Sequence, residues 1–432
     1  MVSAGGLLGG VVAAVLVLPA GTAAARGAGA LDPTFAGDGW TLLDYGHRAE
    51  GATASDVLVT STGKVVTVGP VDVGGGTAFG VSRLRRDGTP DRSFHATGHR
   101  TTSLTGRDVP HRVVALGHGR VLVAGSAGDA FGLAAYRRDG RLNSSFGVGG
   151  TVVTDVSPGI DAVLDVRVRS DGSILAAGIA GDRFAVARYL ADGTADPTFG
   201  DGGVVVTTAG LPGQATTVRL QPDGRLLVAG ESLPDADRNT GFEVARFTTD
   251  GSPDPTFGGG DGTVTTYFND FTPTEEASRP ASVLVQPDGR VLVAGSTYGD
   301  GDYRSWSMAR YLSDGSPDPS FGRGDGEVKQ MFEPCCYGEI TAVARQGDGA
   351  IVAVGSTRIS SSSARHLAVA RYTVRGVLDR SFSGDGRAML DLGGHRSLAA
   401  TGVATRLRGI VVAGQLVGRG GRSSALVARY RQ

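Results

Sequence analysis

The sequence predicts an all-β fold, a seven-bladed β-propeller of four-stranded antiparallel blades. A hydrophobic run ending in Gly recurs seven times, at Gly69, Gly125, Gly178, Gly230, Gly295, Gly355 and Gly414, with separations of 52 to 65 residues. A signature of the type DPTF recurs in step with it, centred on Phe35, Phe94, Phe146, Phe199, Phe257, Phe321 and Phe382. The two ends of the chain are also complementary. LDPTF and one strand-like run stand near the start without preceding strands, and the chain ends on a set of three runs without a fourth.

Each unit contains four short β-rich runs, a to d, bounded by Gly, Asp and Pro, the punctuation of strands and turns. In one unit strand a is ATTVRL (Ala215 to Leu220), a QPDGR turn leads to strand b (LLVAG), strand c is FEVARF (Phe242 to Phe247) and strand d is TVTTYF (Thr263 to Phe268). Strand b is almost free of polar residues, as expected of a strand covered on both faces. Four-stranded sheets repeated radially make a propeller, and seven is within the usual range of blades. The competing arrangement is an open solenoid. Pairing of residues 40 to 45 with Ala425 to Tyr430 distinguishes the two, because it closes the ring and removes an open edge. The expected organisation is a leader over 1–25 and one propeller over 26–432. Strand d of the last blade comes from about residues 39–46 and its strands a to c from about 399–430.

The leader reading rests on an apolar run, Leu7 to Ala20, followed by Ala23-Ala24-Ala25 ahead of Arg26, a small-residue cleavage pattern. Met1 to Gly6 carries no Lys or Arg, which departs from the usual basic start. An uncleaved anchor is the alternative, but the run is short for a bilayer and interrupted by Gly9 and Gly10. A bacterial protein, secreted or at the cell surface, is therefore expected. The use of Arg, with Lys only at Lys64 and Lys329, fits a GC-rich genome.

Composition excludes several classes. Gly makes up 70 of 432 residues without a Gly-X-Y period, which means many turns and not collagen. A net charge of −1 gives no basic footprint for nucleic acid. Two Cys cannot build a disulfide scaffold or a Cys-rich zinc module.

Spacing separates scaffold from variable surface. From the Arg position of strand c to the following Phe the distance is 11 in all six uninterrupted units, and the a-to-b turn is nearly constant. The Arg of strand c is expected to pair with the Asp eight residues on: Arg83 with Asp91, Arg188 with Asp196, Arg246 with Asp254, Arg310 with Asp318 and Arg371 with Asp379. The unit that has Ala135 in place of the Arg also has Asn143 in place of the Asp. Continued across the chain ends, the register pairs Arg429 with Asp32. The b-to-c and d-to-a connections vary in length, and in an up-and-down sheet both emerge on one face. Loops on a rigid scaffold are where binding most often resides.

The longest of these loops supply the candidate ligand residues. ESLPDADRNTG (Glu231 to Gly241) offers Asp235, Asp237 and Arg238; NDFTPTEEASRP (Asn269 to Pro280) offers Glu275 and Glu276. STYGDGDYRSW (Ser296 to Trp306) offers Tyr298, Asp300, Asp302, Tyr303 and Trp306, and EPCCYGE (Glu333 to Glu339) adds Tyr337. The alternative is that these loops are simply solvated, as the Ser-rich STRISSSSARH (Ser356 to His366) is expected to be. Adjacent Cys335 and Cys336 could form only a strained vicinal disulfide, against which stand free thiols or packing.

No Ser/His/Asp or Cys/His arrangement is recognisable. His47, His111, His366 and His395 fall near the variable face but without metal-ligand spacing. The GDG turns at Asp38, Asp201, Asp261, Asp325 and Asp385 resemble fragments of calcium loops, yet Asp-Gly is also an ordinary tight-turn solution. No cofactor is expected, with calcium the one alternative. The recurring Phe is expected to plug the core between blades.

Through PDGRVLVAG, VARYLSDGSPDPTFG and GDGTV the sequence resembles the delta-60 repeat family of bacterial secreted and surface proteins, over roughly residues 30 to 432. That resemblance implies a propeller-like fold and brings no reaction, ligand or catalytic residue. The PDGR turn is also similar to that of gluconolactonase-like propellers. The expected function is an exported scaffold, monomeric, that binds an unidentified extracellular protein or glycan without spanning the membrane. A metal-dependent hydrolase of gluconolactonase-like type is the alternative.

Overall fold

A computed structural model describes residues 27–43, 45, 51–211, 214–235, 239–268, 277–299, 304–332, 337–358, 364–393, 396–406, 409–418 and 420–432. The leader expected over 1–25 lies outside the described residues. Strand β1 (Trp40–Leu42) belongs to the last blade. Blade 1 is β2 (Asp56–Val59), β3 (Val65–Asp72), β4 (Thr77–Leu84) and β5 (His99–Thr102), and blade 2 is β6 (Asp108–Gly117), β7 (Arg120–Ala127), β8 (Ala130–Tyr136) and β9 (Thr151–Thr154). Blade 3 is β10 (Asp161–Val168), β11 (Ile174–Ala180), β12 (Arg183–Tyr189) and β13 (Val204–Val206), and blade 4 is β14 (Gln214–Leu220), β15 (Leu226–Glu231), β16 (Phe242–Phe247) and β17 (Thr263–Thr266). Blade 5 is β18 (Ala277–Val285), β19 (Val291–Tyr298), β20 (Arg304–Tyr311) and β21 (Glu327–Gln330), and blade 6 is β22 (Gly338–Arg345), β23 (Ile351–Thr357), β24 (His366–Tyr372) and β25 (Arg387–Leu390). Blade 7 is β26 (Ser397–Arg406), β27 (Gly409–Val417), β28 (Ser423–Arg431) and then β1.

Every sheet is antiparallel and follows the order a-b-c-d. The a strands touch one another in a closed cycle, β2 to β6 and onward to β26 and back to β2, so they form the inner ring and the d strands the rim. Closure is made by Trp40 opposite Ala428, Thr41 opposite Val427 and Leu42 opposite Leu426. The amide of Asp32 then donates to the carbonyl of Arg429. The ring reading therefore holds over the solenoid, with β1 shorter than the run expected from about 39–46.

Seven apolar clusters fill the seven seams, each drawing residues from two neighbouring blades. Their extent follows from the apolar b strands, with Phe35, Phe94, Phe146, Phe257, Phe321 and Phe382 wedged behind them at 0–1% exposure. Phe199 is the exception, only partly buried at the seam of blades 3 and 4.

The repeating b-strand Gly has a steric cause. In blades 2 to 7 strand a bulges opposite it, as between Ala215 and Thr217, and pushes a carbonyl toward the b strand. A Cβ on Gly230 would sit 2.3 Å from the Gln214 oxygen, and one on Gly178 1.8 Å from that of Ala162. Three bulge residues are Thr, and they link neighbours: the Thr216 hydroxyl donates to Pro280 O at 2.6 Å, Thr341 to Ala400 O at 2.8 Å, and Thr401 to Ala54 O.

The strand c arginines form a second set of ties between blades, on the constant face. Arg83 Nε lies 2.7 Å from Asp91, Arg246 Nε 2.7 Å from Asp254 and Arg310 Nε 2.7 Å from Asp318, all with both partners buried. Arg188–Asp196 (2.7 Å) and Arg371–Asp379 (3.3 Å) are more exposed. Each of Arg83, Arg246, Arg310 and Arg429 also donates to a main-chain carbonyl in the next blade's turn, at Arg138, Ser313, Val374 and Arg86. Arg83, Arg188, Arg246, Arg310 and Arg429 stack over the unit's own Phe, 4.4–4.9 Å from the ring centre. Among the described residues a further cation reaches the carboxylate from the a-to-b turn in three blades: Lys64 on Asp91, Arg225 on Asp254 and Arg290 on Asp318. Burial alone would raise the Asp254 carboxyl, but the Thr256 hydroxyl and amide and the Arg246 guanidinium hold it below its ordinary value.

Candidate ligand surface on the variable face

The variable face collects the starts of strands a and c and the ends of b and d. In blades 2 and 3 its d-to-a connections are closed on buried carboxylates. Asp108 accepts from the amides of Leu104 (2.7 Å) and Thr105 (2.9 Å), and Asp161 from those of Val156 (2.7 Å) and Ser157 (3.0 Å). Blades 4 to 6 carry the longer loops, and here the described side chains gather.

Tyr298 ends β19 and Arg304 begins β20, directly opposite each other in the hairpin. The Arg304 guanidinium lies 4.5 Å from the Tyr298 ring centre and 4.7 Å from that of Tyr337, which immediately precedes β22 of the next blade. Arg358, just past β23, covers Tyr337 at 4.7 Å. The order is tyrosine, arginine, tyrosine, arginine, a ladder across the seam of blades 5 and 6. Tyr337 is fixed from below, since its carbonyl accepts the Thr357 hydroxyl (2.8 Å) and the Arg358 amide (3.0 Å). Glu339, one turn of the pleat inside β22, accepts from Arg304 and from Arg365 (3.3 Å). Toward blade 4, Glu231 pairs with Arg279 (3.4 Å) and accepts the Thr240 hydroxyl (3.0 Å). Toward the rim, His366 Nδ1 stands 3.6 Å from Asp391.

The structure thus joins Tyr298 and Tyr337 through Arg304. Asp235 sits in the blade 4 loop, where its carboxylate accepts the Asn239 amide at 2.8 Å. Trp306 requires correction: it is fully buried and packs on Phe332 with ring centres 4.9 Å apart, so it supports the surface and is not on it. Its position explains this, because it lies four residues before Arg310, where Phe79, Phe131, Phe184 and Phe242 fill the core of other blades. Asp237, Arg238, Glu275, Glu276, Asp300, Asp302, Tyr303, Cys335 and Cys336 lie outside the described residues, as do His47 and His395. Arg304, Glu339, Arg358 and Arg365 were not singled out in the sequence. Arg304 and Glu339 lie within the two loop motifs quoted above, and only the pairing across blades reveals their role.

His111 is on the inner strand β6, and burial with neighbouring Arg112 pushes its imidazole down to about 4. Among the described residues no three His, Cys, Asp or Glu side chains gather as a metal site would require. In the GDG turns Asp261, Asp325 and Asp385 accept the amide two residues on, at 2.8–2.9 Å, the local bond of an Asx turn. No helix among the described residues is long and apolar enough to cross a membrane.

Five segments, 60–94, 169–199, 221–257, 286–321 and 346–382, match the family described as domain of unknown function (DUF5122) beta-propeller. No curated protein matches the sequence. Among solved structures the chain is similar to polysaccharide lyase Uly1, with TM-score 0.51, 11% identity and coverage of 88% of this chain and 90% of that one. It is also similar to a polysaccharide lyase PL25 ulvan lyase bound to -[GlcA(1-4)Rha3S]-, with TM-score 0.53, 9% identity and coverage of 89% and 96%. At such identities the likeness is one of fold. The chain is a β-propeller repeat protein, five of whose seven units match the DUF5122 β-propeller repeat.

Proposed function

We propose that this propeller is an exported, bacterial binding scaffold whose variable face, over blades 4 to 6, takes an extracellular ligand. The Tyr298–Arg304–Tyr337–Arg358 ladder is the observation that carries the reading. Stacked aromatic and guanidinium groups offer flat apolar area and fixed hydrogen-bond donors at low entropic cost, as recognition surfaces do. Arg304, Glu339 and Arg365 remain partly exposed there. The leader-like start and the delta-60 resemblance support export. Acidic polysaccharide is the first ligand class to test, because the surface is rich in Arg and one structural neighbour is an ulvan lyase bound to -[GlcA(1-4)Rha3S]-.

Glycan and protein arrays probed with residues 27–432 test this. The reading expects a ligand whose binding is lost in Tyr337→Ala and Arg358→Ala while the melting temperature stays close to that of the parent chain. Binding unchanged in both variants would place the working surface elsewhere.

A further inference from the structure

The inner ring carries a charged arc that the variable face does not involve. Asp56 on β2, Arg112 on β6 and Asp165 on β10 occupy the same position of three successive a strands, immediately after the bulge where blades 2 and 3 have one. Two residues farther along, on the same side of the strand, blades 3 and 4 carry Arg167 and Arg219. The corresponding positions in blades 6 and 7 hold only Ala342, Ala344, Gly402 and Ala404. At these two positions the charge is therefore confined to one side of the ring.

These groups converge on one carboxylate. Arg219 Nη1 is 3.1 Å from Asp165 Oδ1, and Arg112 Nε is 3.9 Å from the same oxygen. The other Asp165 oxygen already accepts the Leu220 amide at 2.9 Å. Partial burial lowers the pKa of Arg167, with Arg219 acting in the same direction and Asp165 and Asp223 opposing it. Asp223 is held by Arg225, whose Nη1 lies 2.9 Å away. Asp56 touches Arg112 only at 3.8 Å and has one oxygen committed to the Val113 amide at 3.0 Å. Three guanidiniums thus share two largely committed carboxylates, and Arg167 makes no direct hydrogen bond or ion pair among the described residues. Arg112 and Arg219 keep 29% and 30% of their side-chain surface exposed, so the positive groups remain open to solvent.

We propose that Arg112, Arg167 and Arg219 form a binding site for a small oxyanion, a carboxylate or a phosphate, at the inner ring of the propeller. An oxyanion placed against Arg167 and Arg219 would complete the charge that Asp165 only partly neutralises, with guanidinium forks matched to its oxygens. The site is independent of the loop face and stands or falls without it.

Isothermal titration of residues 27–432 with sodium phosphate, and separately with sodium glucuronate, tests the site at fixed pH and ionic strength. The expected result is one saturable site for at least one probe, with the responding probe identifying the oxyanion type. Arg167→Ala should weaken it about tenfold or more, the usual consequence of removing a charge-assisted bond. Arg141→Ala, in an exposed turn of blade 2 away from both surfaces, should leave it unchanged. The Arg167 side chain holds no hydrogen bond or ion pair among the described residues, so its variant is expected to melt with the parent chain. Absence of saturable binding by both probes, or equal affinity in Arg167→Ala and the parent, would overturn the proposal.

Discussion

Arg429, in the last strand of the chain, places Nη2 2.8 Å from Oδ2 of Asp32, which precedes the first strand. The same guanidinium donates to the Thr34 hydroxyl at 2.8 Å and covers the Phe35 ring at 4.9 Å. The seam made by the two chain ends therefore has the same construction as a seam within the chain. Removing residues 27–43 should leave β28 as an open edge and uncover the blade 7 core. The expected outcome, by light scattering and thermal melting, is aggregation and a large drop in melting temperature. A truncated chain that stays monomeric and equally heat-stable would contradict closure.

Arg246→Ala should cost about 3 kcal/mol in denaturant unfolding, the low end for a broken buried pair, because Arg225 remains 3.0 Å from Asp254. Arg188→Ala should cost clearly less, since that pair is more exposed and its Phe199 is only partly buried. A loss below about 1 kcal/mol for Arg246→Ala would mark the pair as a surface ion pair.

Acid should destabilise the ring in two stages. His111 is held neutral by burial and Arg112, with its folded pKa down at about 4 against an ordinary 6.5. The unfolded chain binds the extra proton first, so stability falls as pH drops from 6.5 to about 4. The carboxylates of Asp254, Asp318 and Asp32 lie below their ordinary 3.8 despite the opposing effect of burial. Their contribution is complete above that value and is lost as pH falls through their folded pKa values. Asp56 is pushed the other way by burial and works against the first stage. His111→Leu isolates that stage, since Leu164 already occupies the same bulge in blade 3. Melting temperatures from pH 7 to 2 should lose the first decline in this variant and keep the second.

Gly230→Ala should destabilise by on the order of 3 kcal/mol, because its Cβ would meet main chain at 2.3 Å and no side chain can give way. Gly347 is the contrast, with open space around a Cβ and no positive φ. Blades 4 and 5 have Pro222 and Pro287 in the matching turn position. Gly347→Pro is expected to stabilise by about 0.5 to 1 kcal/mol through the unfolded chain. Unfolding midpoints of the two variants should move in opposite directions.

The parts of this molecule legible in its sequence are those that repeat. Seven copies of the b-strand Gly and the c-to-d Phe carry the blade count, and the complementary ends carry the closure. The partnership of Arg429 with Asp32 follows from that register alone. What occurs once is harder to read. Trp306 looked like a loop aromatic because it ends a polar, Tyr-bearing stretch, whereas its offset from Arg310 makes it the core aromatic of blade 5. The stacking of Tyr337 on Arg304 depends on the separation between blades, which spacing within one unit does not encode. Lys64, Arg225 and Arg290 reach the clamp carboxylates from the a-to-b turn, and their conformation is set by tertiary packing.

Across the seam, the acceptors of four strand c guanidiniums are main-chain carbonyls, at Arg138, Ser313, Val374 and Arg86, whose side chains are not all alike. A bond to main chain is indifferent to what its neighbour's side chain is. A unit built this way brings its own fastening and asks of the next only that it make the same turn. A duplicated unit would be fastened on arrival, and a lost one would leave matching ends, so the number of units can drift during descent without any new pair of side chains having to arise together. Blade 2, with Ala135 and Asn143 where the others have Arg and Asp, shows that a seam can also be held by its apolar contacts and turn bonds without that fastening.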